Sequence, residues 1–227
     1  MLTHRPATQR GHLNYGWLDT WHSFSFGSYY DPEQMGHSVL RVINEDRIAP
    51  HSGFDTHGHR NMEILTCMLQ GTLSHRDNMG HRSTLHAGEW QMLSAGNGIT
   101  HSEFNHGDEP VHLLQIWLHP EHPGTEPFYR QREFPLHEGL QLIASPQGRE
   151  QSFPLGQQAC VYQGYLSPGN HELPERSGRH AWLQLISGQL HTGDLTLQAG
   201  DGLALSDCSV PSLQVLSQAH FIFFDLP

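Results

Sequence analysis

The sequence has few cysteines and no long apolar run, and each shortage excludes a class of protein. Its three cysteines, Cys67, Cys160 and Cys208, lie far apart, and an odd, scattered set does not make a disulfide framework. No segment approaches the roughly 18 consecutive apolar residues that a membrane-spanning helix needs. Residues 1–10 lack the apolar core of a signal peptide. We therefore expect a cytoplasmic chain with no membrane partner.

The sequence is also poor in positive charge. Lys and Arg total 12 against 23 Asp and Glu, which gives a formal net charge of −11 over 227 residues. A protein that binds nucleic acid by neutralising phosphates needs the opposite balance, so direct nucleic-acid binding is not expected. The sequence is instead rich in histidine, with 20 of them. Its surface charge should therefore change strongly near pH 6 to 7.

Short strand-like segments dominate the sequence, and no window shows a capped, amphipathic helix. The strand-like segments are rich in β-branched and aromatic residues and are bounded by Gly, Asn, Asp or Pro. Closely spaced turns of this kind are typical of an all-β sandwich or barrel. The clearest examples are residues 38–44, 63–69, 112–118, 182–186 and 220–224.

A pattern in the first half of the sequence recurs in the second half. A strand ending in Gly71 is followed by a loop and an Ala-Gly-acid turn at Gly88, and Gly188 and Gly200 repeat this order. The repeat predicts two related β-domains, residues 1–133 and 134–227, with the connection near residues 120–136. A chain that already contains two barrels has less need to dimerise, so we expect a monomer.

Two separated segments carry residues that suit a metal. His57 and His59 point the same way if they lie on a strand. About 40 residues later a Gly-rich turn precedes His101 and Glu103, which also share a face if extended. Three imidazoles and one carboxylate suit a divalent transition metal such as Fe, Mn, Ni, Cu or Zn. Four protein donors leave up to two octahedral positions open for substrate or dioxygen.

The residue pattern leaves the identity of the carboxylate ligand open. Glu63 has the same parity as His57 and His59 if the strand continues, so it competes with Glu103. With so many histidines, some H-x-H pairs also arise by chance. The other histidines in the first half are expected on a solvated face: His75, His81, His86, His106, His112, His119 and His122.

The motifs resemble those of the pirin family of bicupins. The match includes the pattern Gly-x-Gly-x-x-His-Ser-Glu that ends at Glu103, and it weakens after residue 140. One departure is Gly58, which stands where many members have proline. The segments that carry the resemblance are residues 10–12, 16–26, 30–32, 40–46, 53–59, 62–63, 96–103 and 115–117.

The resemblance implies two stacked cupin barrels, each a double-stranded β-helix or jelly roll. One metal, usually iron, would lie in the N-terminal barrel with His57, His59, His101 and Glu103 as ligands; Mn, Ni, Cu, Co or Zn could replace iron. Glu63 would then lie near the metal and contact a ligand or the substrate. Glu103 and Glu63 are the carboxylates expected to accept a substrate proton.

The second half is expected to bind no metal. The two halves can be aligned by placing Gly71 on Gly188 and Gly88 on Gly200. Among the second-half positions that then match the first-half donors, only His180 could bind a metal. His171, His180 and His191 are then surface or packing residues. The matching positions are Pro174, Arg176, His180, Leu213 and Val215.

Members of this family suggest two functions. Some open the flavonol quercetin with dioxygen, which implies a metal-dependent quercetin 2,3-dioxygenase with a phenolic substrate. Others act as regulators, which implies a metal-bound, redox-responsive module that binds a protein partner without turnover. A metal-dependent isomerase, which would work without dioxygen, is a third alternative.

Overall fold

A computed structural model describes residues 1–174, 180–207 and 212–227 of the chain; Arg176 and Cys208, considered above, lie outside these ranges. Within the described residues there is no α-helix, only two short 3₁₀ turns and a series of strands. The predicted all-β class is confirmed, and each of the five strand-like segments overlaps an observed strand. The described residues contain no helix long and apolar enough to cross a membrane.

The chain divides into two compact units. The first unit comprises Gly11–Gly36 and Leu40–Pro135, and the second comprises Met1–Arg10, His37–Val39 and Leu136–Pro227. The predicted division at residues 133 and 134 stays a prediction for the folding domains. These contact units differ from it mainly at the first ten residues, which belong to the second unit.

The first unit consists of two antiparallel sheets. One sheet has the strand order β5-β10-β7-β8, and the other has the order β12-β9-β6-β11-β4-β3-β2. The strands are β2 Gly11–Asn14, β3 Leu18–His22, β4 Leu40–Ile48, β5 Ser52–His59, β6 Glu63–Gln70, β7 Thr72–Asp77, β8 Arg82–His86, β9 Glu89–Ser94, β10 Ile99–Asn105, β11 Val111–Leu118 and β12 Phe128–Glu133.

The two sheets of the first unit pack face to face. Leu73 and Leu85 from the smaller sheet share a buried cluster with Ile48, Met68 and Leu113 from the larger one. Burying apolar side chains from both inner faces excludes water between the sheets and stabilises the sandwich. The candidate site lies beside this cluster, where buried histidine and glutamate side chains join the apolar lining.

The second unit has one sheet, which contains the first strand of the chain. Its core includes Leu183, Leu203, Phe221 and Phe223, all with almost no exposed surface. The strand order is β1-β19-β17-β20-β15-β13-β14, with β16 paired to β20 and β18 to β17. The strands are β1 Leu2–Arg5, β13 Gly139–Ser145, β14 Phe153–Pro154, β15 Cys160–Leu166, β16 Gly169–His171, β17 His180–Thr192, β18 Leu195–Gln198, β19 Gly202–Leu205 and β20 Leu213–Leu226.

The repeat read from the sequence recurs as matching backbone geometry. Gly71 and Gly88 have φ angles of 81° and 86°, and Gly188 and Gly200 have 87° and 88°. Glycine is favoured at positive φ because it has no Cβ to clash with the following carbonyl. The backbone conformation is therefore shared, but the surroundings differ at the first glycine: Gly71 separates β6 from β7, whereas Gly188 lies at a register shift inside the continuous β17.

Candidate metal centre

Two neighbouring strands of the smaller sheet bring the predicted imidazoles together. In the pairing of β5 with β10, His101 lies opposite His57, and Ile99 lies opposite His59. The ring centroids are 4.5 Å apart for His57 and His101, 4.9 Å for His59 and His101, and 4.8 Å for His57 and His59. One ring nitrogen of each residue lies within 4.8 Å of the others. Period-two alternation along β5 thus produces a three-nitrogen cluster.

The donor chemistry of this cluster fits a cation. His101 is only 2% exposed, and neither of its ring nitrogens has a hydrogen-bond partner within the described residues. Buried polar atoms without a partner are costly. A metal ion would satisfy one of these nitrogens. The His57 Nδ1 atom donates to the carbonyl oxygen of Asp55 at 2.8 Å, so the lone pair of this ring is on Nε2 and available to a metal.

Burial keeps two of the imidazoles neutral. Burial, followed by the neighbouring imidazoles, lowers the pKa of His59 to about 3 and that of His101 to about 3. A neutral imidazole keeps the lone pair that binds a metal, whereas a protonated ring does not. The cluster is therefore ready to accept a cation at neutral pH.

Glu103 is fully buried and held by amide groups. The Gln115 side chain donates to its Oε2 at 2.7 Å, and the Gln91 side chain donates to its Oε1. Gln91 also donates to the hydroxyl of Thr66 at 2.9 Å. Burial raises the pKa of Glu103 despite the lowering effect of His75 and the amides. Gln115, for which the sequence left open a structural or a substrate-contacting role, thus holds Glu103 and also lines the cavity.

Glu63 does not join the cluster. The strand that the sequence treated as continuous is broken, because β5 ends at His59 and Asn61 has a φ of 52° before β6 begins. The expected shared parity with the histidines is therefore wrong. The buried Glu63 carboxylate accepts a hydrogen bond from the Ser94 hydroxyl at 2.6 Å, and Glu63 is not among the residues that line the cavity.

His75 was missed by the sequence analysis. It was expected on a solvated face, but it is 2% exposed and lies beside His101 and Glu103. Its strand reads Leu73-Ser-His75-Arg-Asp77, in which the first, third and fifth residues are buried. The signal available in the sequence was that His75 has the same parity on this strand as the apolar residue Leu73. Of the other histidines in that group, His112 is partly buried and pairs with Glu45, and the rest are exposed.

A cavity of about 230 Å³ opens beside the cluster. The Trp117 ring lies 4.9 Å from that of His59 and 5.2 Å from that of Phe26. Apolar walls exclude water and bind flat apolar ligands. The apolar lining residues are Leu13, Leu18, Phe26, Phe54, Ile64 and Trp117.

Polar side chains of the larger sheet interrupt this apolar lining. Thr20, Asn44 and Asp46 face the cavity from β3 and β4. The Thr20 hydroxyl donates to Asp46 at 2.5 Å. Burial is the main cause that raises the pKa of Asp46 to about 7. The wall therefore offers hydrogen-bonding groups for the polar substituents of an otherwise apolar ligand.

A barrel-like pair of sheets with imidazoles and a carboxylate on its inner wall defines a metal-binding cupin. The chain belongs to the pirin family: the family model described as Pirin matches residues 3–118. A second model, described as the quercetinase C-terminal cupin domain, matches residues 142–226. Together with the fold, these matches confirm the bicupin architecture.

Similar proteins extend over the whole chain. A quercetin 2,3-dioxygenase from Escherichia coli is 43% identical over 229 residues, which cover 100% of this chain and 99% of that protein. A pirin-like protein from Caulobacter vibrioides is 33% identical and covers 99% of each chain. The crystal structure of a bacterial pirin from E. coli in complex with nickel(II) has a TM-score of 0.95 and 43% identity, covering 100% of this chain and 99% of that one.

These findings support a divalent metal site in the first unit. A similar structure contains nickel(II), and two overlapping groups of potential ligands lie within the first unit: His57, His59 and His101, and His75, His101 and Glu103. The assignment of His57, His59, His101 and Glu103 as the ligand set, and of Glu103 and Glu63 as catalytic groups, stays a prediction.

Proposed function

We propose that the chain is a metal-dependent dioxygenase that opens the ring of a flavonol such as quercetin with dioxygen. The observation that carries this proposal is the convergence of three imidazoles and one carboxylate on the wall of a largely apolar cavity. The 43% identity to a protein named quercetin 2,3-dioxygenase supports the substrate class. Iron is the favoured metal, with Mn, Ni, Cu, Co or Zn as alternatives.

Each part of the site has a role in this reaction. His57, His59, His101 and Glu103 would hold one divalent metal, which supplies Lewis-acid and redox chemistry. Phe54 and the other apolar lining residues would bind the flat rings of the substrate and exclude water.

Glu103 is the proposed acceptor of the substrate's hydroxyl proton. Gln91 and Gln115 each occupy one position on its carboxylate oxygens, and a carboxylate has about four acceptor positions in all. Glu63 is the weaker candidate because it lies away from the cavity lining and accepts a hydrogen bond from Ser94. Proton transfer from the substrate hydroxyl would activate the ring for attack by dioxygen.

The test is a turnover assay with iron-loaded protein. We expect dioxygen consumption at an oxygen electrode together with loss of the quercetin absorbance. His101→Ala should abolish both, because it removes a buried donor shared by both groups of potential ligands.

The matched control is His106→Ala, which removes an exposed histidine near the end of the same strand. This variant should keep wild-type turnover. Unchanged turnover in His101→Ala would remove the metal from the mechanism. A metal-loaded wild-type chain that leaves quercetin intact would contradict the proposed activity.

A further inference from the structure

His75 lies next to the predicted ligands but is not part of the set predicted from the sequence. In the pairing of β7 with β10, His75 is opposite Glu103, and Asp77 is opposite His101. Directly opposite residues on one sheet face have Cβ atoms about 5 Å apart. The His75 and His101 ring centroids are 5.4 Å apart. The donor atoms of His75, His101 and Glu103 all lie within 4.8 Å of one another.

One nitrogen of His75 is engaged and the other is not. The Nε2 atom lies 3.3 Å from Asp77 Oδ2. Asp77 also accepts from the backbone N–H groups of Met79 at 2.9 Å and His81 at 3.0 Å, as an ionised carboxylate does. Nε2 therefore donates the proton, and the lone pair is on Nδ1. This Nδ1 atom is buried and has no hydrogen-bond partner within the described part of the chain.

The ring of His75 is also held in a fixed orientation. It stacks on Tyr129 with ring centroids 4.3 Å apart and an interplanar angle of 17°. The Tyr129 hydroxyl in turn lies 2.6 Å from the Ser83 hydroxyl. A histidine whose ring is fixed, and whose second nitrogen donates to a carboxylate, has the arrangement found in metal-binding histidines.

We propose that His75, His101 and Glu103 form a second, deeper position for a divalent transition metal. The outer position is the predicted ligand set of His57, His59, His101 and Glu103, and the deep position overlaps it because both use His101 and Glu103. A neutral imidazole has one lone pair, so only one position is filled at a time and the chain binds one cation. The deep position is fully buried, whereas His57 and His59 are partly exposed. The inference rests on the metal centre of the proposed function, but it does not require that the chain has the proposed dioxygenase activity.

The test removes the outer position and asks whether a metal still binds. In the double variant His57→Ala/His59→Ala, Zn²⁺ binding is measured by equilibrium dialysis and metal analysis. We expect about one equivalent to remain, with lower affinity than in the wild type. Adding His75→Ala should reduce binding to background. Adding Asp77→Asn should weaken it by roughly 10- to 100-fold, as found when the carboxylate behind a ligating histidine is removed.

The control is the double variant with His106→Ala, which removes one exposed imidazole. It should bind as the double variant does, because surface histidines do not make the deep position. A double variant that binds no Zn²⁺ while the wild type binds one equivalent would overturn the deep position alone. A wild type that binds none would contradict the metal centre itself.

A spectroscopic measurement avoids any change at His75. Pulsed electron paramagnetic resonance of the Cu²⁺-loaded double variant counts the coordinated imidazoles. Two imidazoles, assigned to His75 and His101, are expected, and a single imidazole would overturn the proposal. Far-UV circular dichroism should show a folded double variant, because His57 and His59 are partly exposed on β5 and contribute little to the core.

Discussion

Asp46 shows how burial controls the charge of a single residue. It is 3% exposed, and burial raises its pKa from the ordinary value of 3.8 to about 7. The folded chain therefore holds this proton more tightly than the unfolded chain. The contribution of protonated Asp46 to the free energy of unfolding is fully present below about pH 4 and is lost as the pH rises to about 7. The loss is about 4 kcal/mol at most, at 1.36 kcal/mol per pKa unit.

Asp46→Asn removes this titration while keeping a side chain of similar shape. In urea unfolding of the metal-free chain, we expect the variant to lose less stability than the wild type between pH 5 and pH 8. Asp194→Asn is the control, because Asp194 is exposed in a turn. Equal pH dependence in the wild type and Asp46→Asn would contradict the raised pKa.

Gln115 is a second single residue with a defined effect, because it helps to hold the Glu103 carboxylate in position. Its amide donates to Glu103 at 2.7 Å, so Gln115→Leu leaves one Glu103 oxygen without this partner. Loss of a hydrogen bond that orients a metal ligand weakens metal binding by roughly 10- to 100-fold. Isothermal titration with Ni²⁺ measures this change. Gln198→Leu, at an exposed position of β18, should bind as the wild type does, and equal affinity in Gln115→Leu would contradict the positioning role.

The residues of the cluster differ in how far the sequence could predict them. His57 and His59 were found because alternation along one strand is a local property. His101 was found from its Gly-rich turn. The burial of His75 depends on the pairing of β7 with β10, which joins residues far apart in sequence. With 20 histidines in the chain, composition could not single it out.

At the scale of the strand, Gly53 sets how closely β5 approaches β10. A Cβ at Gly53 would lie 2.2 Å from the carbonyl oxygen of Glu103 and 2.6 Å from the Cα of Phe104. Both are backbone atoms, so Gly53→Ala must push the two strands apart. We expect weaker metal binding and a lower Tm, because the donors of the outer position come from both strands. Thermal unfolding and metal titration measure the two effects.

Gly58 provides a matched control on the same strand. A Cβ there would have its nearest neighbours at 3.7 Å, the carbonyl oxygen of Ile99 and a methyl group of Thr100. These are ordinary contact distances, so Gly58→Ala should keep metal affinity and Tm. Equal behaviour of the two alanine variants would show that the approach of β5 to β10 does not determine the site.

The positions of the strands were predicted better than the breaks between them. Apolar segments with β-branched and aromatic residues identified β6, β11 and β20 because that composition suits a buried or half-buried sheet. The break between His59 and Glu63 depends on a single residue, Asn61, with a positive φ. Asparagine tolerates that conformation, but its presence does not require it. The wrong parity of Glu63 followed from this one turn.

At the scale of the whole chain, residues 1–10 belong to the second unit. β1 pairs with β19, from Leu2 opposite Leu205 to Arg5 opposite Gly202. This pairing joins residues about 200 positions apart, and no local pattern in the sequence identifies such a partner. The repeat could therefore predict two β-domains, but the boundaries drawn from it placed the first strand in the first domain, residues 1–133, whereas its contacts lie in the second unit.

Deleting residues 1–10 tests this assignment. Asp201 is 5% exposed and loses two partners, His4 Nε2 at 2.9 Å and the Ala7 N–H at 2.7 Å. β19 also loses its neighbour on one side. We expect the second unit to lose about 2 kcal/mol or more, at roughly 1 kcal/mol per hydrogen bond. Hydrogen exchange followed by mass spectrometry should accelerate at β19 and leave β5 and β10 unchanged. Faster exchange confined to residues 11–135 would instead place the first strand with the metal-binding unit, as the sequence alone predicted.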